Sequence, residues 1–592
     1  MTPPRPEHPR PHLVRARWRT LNGAWRFAEA PPPHDPDGAL DAPAFDRTIQ
    51  VPFPPESPLS GIGDPGFHPS LWYRRDVDVP AEWDGARILL HVGACDYRAT
   101  VYVGGVRAGE HVGGSAPFTV DLTPFVRAGA RHDLVIHAED DLASGVQPAG
   151  KQSRRATSYG CYYTRVSGIW QSVWLEAVHP AGLATLDVVP DLGRGRAVLL
   201  PTYLTDDTDL ELHVTARSAE RSVDLHVPVR SGVPVEVPLA DPRPWSPEDP
   251  FLHDLVLRVR TPDGAVLDEV TSYVGLRDVR VEGDRILLNG EPRYLRFVLD
   301  QGYWPDGIWT APSDEALVRD IELARAAGFN GARLHQKAFE PRYHAHADRL
   351  GWLTWAEMPS WGIDENDPVA GRNLLREWGE LVVRDRSHPS IVGWTPLNET
   401  EDRTVGPEHR RLVRDAARLT RDLDPTRPVN DASGWVHQDT DLWTIHLYDQ
   451  DPDALAAKLH GDPPHRHRPD LERYGGQPLV LDEFGGTRWP PGDEAEDVAW
   501  GYGDAPTDEG AFHDRLEGLV DAVLAAPRVR GYCYTQLTDV EQEVNGLFHA
   551  DRTPKFSVPR LHATFARDPD VPEADPGETA DADAPADPPQ AS

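Results

Sequence analysis

Cysteine is scarce: Cys95, Cys161 and Cys533 are the only three in 592 residues. They are too few and too scattered for a disulfide framework or a metal cluster, so buried free thiols are expected. Basic runs are absent as well. With 60 lysines and arginines against 95 acidic residues the net charge is −35, which argues against nucleic acid and anionic membrane surfaces as partners. The first residues, Met1 to Arg10, contain no apolar h-region, and no later run approaches a membrane span. A soluble cytoplasmic protein is the resulting expectation. No glycine-rich phosphate loop follows a first strand, which disfavours a dinucleotide-binding open sheet.

What is present divides the chain by rhythm. Residues up to Pro11 are proline-rich and read as loose. From residue 12 to 179 short β runs such as Ile88–Val92, Ala99–Val103 and Leu134–Ala138 alternate with turn signals, which predicts a jelly-roll sandwich. Between 180 and 276 Leu210, Leu212, Val214 and Ala216 alternate with polar residues, as do Leu255, Leu257 and Val259, fitting an immunoglobulin-like sandwich. From 277 to 566 the pattern becomes strand then helix. Strands are predicted at Tyr294–Val298, Asn330–His335, Trp352–Ala356, Ile391–Leu397, Pro428–Asp431, Leu442–Tyr448, Pro478–Asp482 and Gly531–Gln536. Helices are predicted at Asp314–Ala327, behind the N-cap Ser313, at Glu408–Leu423 and at Ala511–Ala525. Eight strands in this arrangement describe a (β/α)₈ TIM barrel. Residues 567–592 are acidic, rich in proline and free of aromatics, and are expected to be disordered.

Two of the predicted strands stop on carboxylates: Ile391–Leu397 delivers Asn398 and Glu399, and Pro478–Leu481 delivers Asp482 and Glu483. In a parallel barrel both would stand at the carboxyl-terminal mouth, where barrel enzymes keep their chemistry. Cleavage of a glycoside with retention needs one carboxyl to protonate the leaving oxygen and another to attack, roughly 5–5.5 Å apart. The competing reading, ordinary solvated carboxylates, is about equally weighted on spacing alone. Arg333 at another strand end could hold one glutamate ionised, or form a structural ion pair. His335, His446 and Tyr448 could bind hydroxyls or pack as rim residues. Metal binding by His335, Glu357 and His446 is conceivable but lacks ligand spacing, and no cofactor or metal is expected. Trp304, Trp309, Trp355, Trp361, Trp443 and Trp489 are candidates for sugar stacking, most of them serving packing instead.

Several longer motifs resemble glycoside hydrolase family 2, the group of β-galactosidases, β-glucuronidases and β-mannosidases. They are Trp18-Arg-Thr-Leu-Asn-Gly-Ala-Trp25, Gly168-Ile-Trp-Gln-Ser-Val-Trp-Leu-Glu176, Trp245-Ser-Pro-Glu-Asp-Pro250, Leu288-Asn-Gly-Glu-Pro292, Gly328-Phe-Asn-Gly-Ala-Arg333, Asn398-Glu399 and Asp482-Glu-Phe-Gly485. The resemblance implies Glu399 as general acid/base, Glu483 as nucleophile, Asn398 on the sugar's 2-hydroxyl, Arg333 beside the nucleophile and Tyr448 bonded to it. Three departures bear on the sugar. Where the family's glucuronidases carry Asn-x-Lys, this chain has Glu543-Val-Asn545, and an asparagine cannot supply the charge a carboxylate needs. The acidic residues Asp539, Glu541 and Glu543 would repel a uronic acid further. Tyr534-Thr-Gln536 replaces the usual tryptophan, and Asp300 and Gln301, after the first strand, are expected to meet the non-reducing end.

The resulting expectation is a retaining exo-β-glycosidase acting on carbohydrate, β-galactosidase-like with a neutral sugar favoured. Arabinosidase, galactofuranosidase or β-glucuronidase specificity is the alternative on the same scaffold. A non-catalytic sugar-binding protein and a metal-dependent barrel hydrolase are the rivals, and homo-oligomerisation is left open.

Overall fold

The computed structural model describes residues 3–33, 40, 42–206, 209–401, 403–461, 473–490 and 499–569. The acidic tail expected to be disordered lies outside these residues from 570 onward.

Two antiparallel sheets, of six and four strands, lie between Trp18 and Val178 and enclose a core around Trp25, Phe27, Tyr73, Ile136 and Leu175. Two more, of three and four strands, run from Leu183 to Val274. In the larger, Leu212, Val214 and Ala216 stand opposite Val259, Leu257 and Leu255. These are the inward residues of the period-two pattern, and burying them holds this sandwich together.

The strands Leu295–Asp300, Gly331–Leu334, Leu353–Glu357, Ile391–Thr395, Trp443–Leu447, Leu479–Gly485 and Val529–Thr535 form one curled parallel sheet. Nearly all their residues are buried, which is why they read as continuous apolar runs. The predicted strand Pro428–Asp431 differs. Val429 and Ser433 make only isolated parallel bridges, to Trp394 and Asn398. The Asp431 carboxylate accepts from the backbone N–H groups of Ala432, Gln438 and Asp439 (2.8, 2.6 and 2.8 Å), so local turns replace the ladder there. Helices pack outside the sheet. The helix Asp314–Ala326 starts on Ser313, whose hydroxyl accepts from Ala316 N–H (3.3 Å), with Asp314 and Glu315 at its positive end.

Two connecting segments matter for the site. Residues 3–11, expected to be loose, are tied down: Arg5 pairs with Glu340 (2.7 Å) and Arg10 with the buried Glu176 (3.0 Å). The carboxylates need cations, and the proline-rich strap supplies them. The loop 140–167 crosses from the first sandwich to the barrel mouth, where Ala149 N–H donates to Trp361 O (2.8 Å) and Gly150 N–H to Pro359 O (3.1 Å). Gly150 has φ 59°, and a Cβ there would lie 2.4 Å from Gln336 O, so only glycine allows this approach. Cys95 and Cys533 are buried free thiols and Cys161 a half-buried one. Among the described residues no helix is long and apolar enough to cross a membrane.

Candidate active site

Neighbouring strands bring their side chains together at the carboxyl end of the barrel. His446 and Glu483 are register partners, and the register slips at Ile445/His446 on one side of their strand and between Leu481 and Phe484 on the other. Such a bulge re-aims side chains, here those of Asp482 and Glu483 together. Arg333 fills the space between strands. Its Nη1 donates to Glu483 Oε1 (3.0 Å) and Asp482 O (3.1 Å), its Nε to Glu357 Oε2 (2.7 Å) and its Nη2 to Asn398 Oδ1 (2.6 Å). Tyr448 donates its hydroxyl to Glu483 Oε2 and stacks on Tyr502 with ring centroids 3.4 Å apart. Burial opposes ionisation of Glu483, but the His446 and Arg333 cations hold its carboxyl below the ordinary glutamate range.

Asn398 and Glu399 lie beyond the end of their strand. Asn398 N–H donates to Ser360 Oγ (3.1 Å), and its Nδ2 is buried without a protein partner. Glu399 adopts φ 41°, a strained conformation for a residue with a Cβ, as found at functional positions. His446 stands between the two glutamates, with Nδ1 2.6 Å from Glu399 Oε1 and 3.5 Å from Glu483 Oε2, and with Nε2 3.2 Å from Asp482 Oδ1. Burial works against its charge, yet Glu483 and Asp482 raise its pKa to about 10, so it is an imidazolium at neutral pH.

The other predicted residues divide. His335 lies 3.1 Å from Glu357 and 4.0 Å from Glu483, and burial keeps it neutral by lowering its pKa well below the usual value. Trp361 is half-buried at the mouth and donates its ring N–H to Asn398 O (3.0 Å). Gln301 and Asn545 join one hydrogen-bonded chain: Gln301 Nε2 to Gln536 Oε1 (2.8 Å), Gln536 Nε2 to Asn545 Oδ1 (2.7 Å), Asn545 Nδ2 to Glu543 Oε1 (3.0 Å). Asp300 is buried at the carboxyl end of the strand Leu295–Asp300. It accepts from Gly302 N–H (2.9 Å), and burial and Asp320 raise its pKa to about 7. Trp304, Trp309, Trp355 and Trp443 are buried in the packing, and Trp489 packs on Phe512 and Phe556.

Sequence reasoning missed the first sandwich's share of the site. Lys151, Tyr162 and Tyr163 arrive on the loop 140–167: Tyr162 lies 5.3 Å from Trp361 by ring centroids, and Tyr163 donates its hydroxyl to Glu543. The motif Gly150-Lys151-Gln152 is short, and nothing local ties it to a barrel strand hundreds of residues away.

Among the described residues two triplets have ligand atoms close enough for a metal ion: Glu399, His446 and Glu483 in the site, and His12, Asp348 and His388 at the junction of the domains. In the first the protonated His446 and the Arg333 guanidinium already supply positive charge between the carboxylates. In the structure these side chains are hydrogen-bonded instead, His446 to Glu399 (2.6 Å) and Arg333 to Glu483 (3.0 Å). A groove of about 980 Å³ also occurs between the first sandwich and the barrel helix Pro368–Asp385, lined by Ser70, Arg98, Asp141 and Arg376. Glu399, Glu483, His446 and Arg333 are not among its lining residues.

Comparison with known proteins agrees with this architecture. Residues 187–277 match the domain family described as Glycosyl hydrolases family 2, and residues 279–472 match its TIM barrel domain. A β-glucuronidase of Paenibacillus borealis is 25% identical over 514 residues, covering 79% of this chain and 83% of that protein. The β-glucuronidase of Felis catus is 28% identical over 437 residues, covering 64% of this chain and 62% of its own length. Among solved structures, a β-glucuronidase from Ruminococcus gnavus in complex with D-glucuronic acid superposes with a TM-score of 0.74 at 21% identity, over 94% of this chain and 99% of that one. At that identity the superposition speaks for the fold alone. The chain is a glycoside hydrolase and belongs to family 2.

Proposed function

We propose that this chain removes a terminal sugar from the non-reducing end of β-glycosides by double displacement, with Glu483 as nucleophile and Glu399 as acid/base. One observation carries the reading. Oxygens of Glu399 and Glu483 and a nitrogen of His446 lie within 4.8 Å of one another at the barrel mouth. Nearest oxygens this close suit the roughly 5–5.5 Å carboxyl separation of retaining pairs better than the roughly 6.5–9.5 Å of inverting ones. Glu483, ionised between Arg333 and Tyr448, attacks the anomeric carbon while Glu399 gives its proton to the leaving oxygen. Glu399 then takes a proton from water, which attacks the same carbon and frees Glu483. Asn398 offers its free Nδ2 to the hydroxyl beside the reacting carbon. Glu483→Gln is expected to lose turnover by several orders of magnitude and Glu399→Gln by about 10²–10⁴-fold on glycosides with poor leaving groups. The first product seen by NMR should keep the β configuration. An inverted product, or variants as active as the parent, would overturn the assignment.

For the sugar, the names of the relatives favour a β-glucuronide over the neutral glycoside expected from the sequence. Two of the three acids counted against a uronic acid are also engaged elsewhere: Asp539 with Lys555 (2.5 Å), and Glu541 with Thr164 N–H (3.0 Å). A neutral glycoside is the second reading, favoured by Asn545, which bonds Gln536 and Glu543 and brings no positive charge for a carboxylate. Comparing kcat/KM for nitrophenyl β-glucuronide, β-galactoside and α-L-arabinofuranoside decides between them. A preference for either neutral substrate rejects the uronide.

A further inference from the structure

The barrel's site contains a cation that the barrel does not supply. Lys151, on the loop 140–167 of the first sandwich, is 5% exposed. Its carbonyl accepts from Tyr163 N–H (2.9 Å), and the next residue is anchored by Gln152 Nε2 to Asp96 (3.0 Å). The ammonium is held between two aromatic faces, 5.6 Å from the ring centroid of Trp361 and 5.7 Å from that of Tyr163. Among the described residues it makes no hydrogen bond and no ion pair. Burial works against its charge, but the carboxylates of Glu543, Glu483 and Glu399 keep it above the ordinary lysine value, so it is protonated.

An ammonium in so enclosed a place, with no protein acceptor of its own, is free to donate to a ligand. The other two cations at the site are committed. Arg333 serves Glu357, Glu483 and Asn398, and His446 serves Glu399 and Asp482. The two rings that face Lys151 are themselves tied to the site, Tyr163 through its hydroxyl to Glu543 and Trp361 through its ring N–H to Asn398 O (3.0 Å). Glu543 itself is occupied. Tyr163 donates to one of its oxygens and Asn545 to the other (3.0 Å).

We infer that Lys151 is the specificity-determining residue that binds the carboxylate of a terminal uronic acid, filling from the first sandwich the charge that Asn545 does not provide in the barrel. The inference rests on the uronide reading above. It also removes the main objection to that reading, the missing barrel lysine, because a cation brought by a loop of another domain meets the same chemical need.

The test compares the parent enzyme with Lys151→Gln and Lys151→Arg on nitrophenyl β-glucuronide and nitrophenyl β-galactoside, with thermal unfolding recorded for each. The ratio of glucuronide to galactoside kcat/KM should fall about 100-fold in Lys151→Gln, the scale of one lost charged hydrogen bond. Most of the loss should appear in KM, and Lys151→Arg should recover much of the ratio. A parent that cleaves the glucuronide while Lys151→Gln keeps the ratio overturns the Lys151 assignment alone. An equal fall on both substrates also overturns it, since that marks a structural or general hydroxyl-binding role. A parent that turns over the galactoside and ignores the glucuronide overturns the uronide reading, and the assignment with it.

Discussion

The two walls of the site handle buried charge in opposite ways. On the barrel side every carboxylate of the Arg333 cluster has a cation or strong donor within hydrogen-bond reach: Glu357 and Glu483 meet Arg333, and Asp482 meets His446 and Ser433. Their neighbours hold Asp482 and Glu483 ionised against burial. On the side of the first sandwich three carboxyl groups, Glu56, Asp96 and Asp140, anchor the loop that carries Lys151, and among the described residues no cation is bonded to them. Glu56 accepts from Ser167 N–H (3.2 Å), Asp96 from Gln152 (3.0 Å) and Asp140 from Gln147 (2.7 Å). Burial raises all three, Glu56 to about 8 and Asp140 to about 6. A wall of paired charges is set for chemistry in advance, whereas carboxyls that burial pushes toward neutrality leave the ammonium of the docked loop as the charge open to a ligand.

The comparison is broken most severely at Arg333, because it is the one cation shared by Glu357, Glu483 and Asn398. Arg333→Met strands two buried carboxylates and should cost about 3–5 kcal/mol of folding stability. In whatever fraction folds, Glu483 loses one of the cations that hold its pKa down. The acidic limb of kcat/KM, which follows ionisation of the proposed nucleophile, should therefore move to higher pH. A limb at the parental position would mean that Arg333 does not set the charge of Glu483.

A smaller break leaves the charges in place and removes one donor. Tyr448→Phe deletes the hydroxyl bonded to Glu483, and a hydrogen bond to a charged group is worth about 1.5–3 kcal/mol, or roughly 10–100-fold in kcat. Burial and Glu483 keep the phenol protonated at all working pH values, so the loss should be the same at pH 6 and pH 8. A loss confined to one end of the pH range would show a proton-transfer role instead.

The same contrast explains what could be read from the chain alone. Glu399, Glu483, Arg333 and Tyr448 end apolar strand runs, and a parallel barrel puts strand ends at one mouth, so periodicity alone places them near each other. The helix behind Ser313 was legible for the same local reason, since cap and apolar face are neighbours in sequence. The placement of His446 between both glutamates depends on register slips that no period records. Asp431 turned a predicted strand into bridged turns through side-chain bonds. Lys151 was invisible because its meaning comes from a loop docking through Gly150 onto Gln336 of another domain. The strap at Arg5 and Arg10 was misread because proline content says nothing about which buried carboxylates lie across from it.

The mildest test for turnover sharpens the contrast on the sandwich side, at Glu56. Its carboxyl titrates near 4.5 when exposed and near 8 when folded, so the native state binds the extra proton. Stability from this group is fully present below pH 4.5 and is lost as pH rises through 8, the reverse of a carboxylate held ionised by a cation, whose contribution is lost on acidification. Glu56→Gln keeps the shape and cannot ionise. Relative to the parent it should gain at most about 1.4 kcal/mol for each pH unit between these limits, read as a rise in Tm of variant over parent that grows from pH 5 to pH 8. Turnover at pH 6, where the parental carboxyl is already protonated, should stay within about twofold, an upper bound set by the small cost of a well-placed amide. A Tm difference independent of pH would show that Glu56 is ionised in the folded chain, and that the two walls manage their charge in the same way.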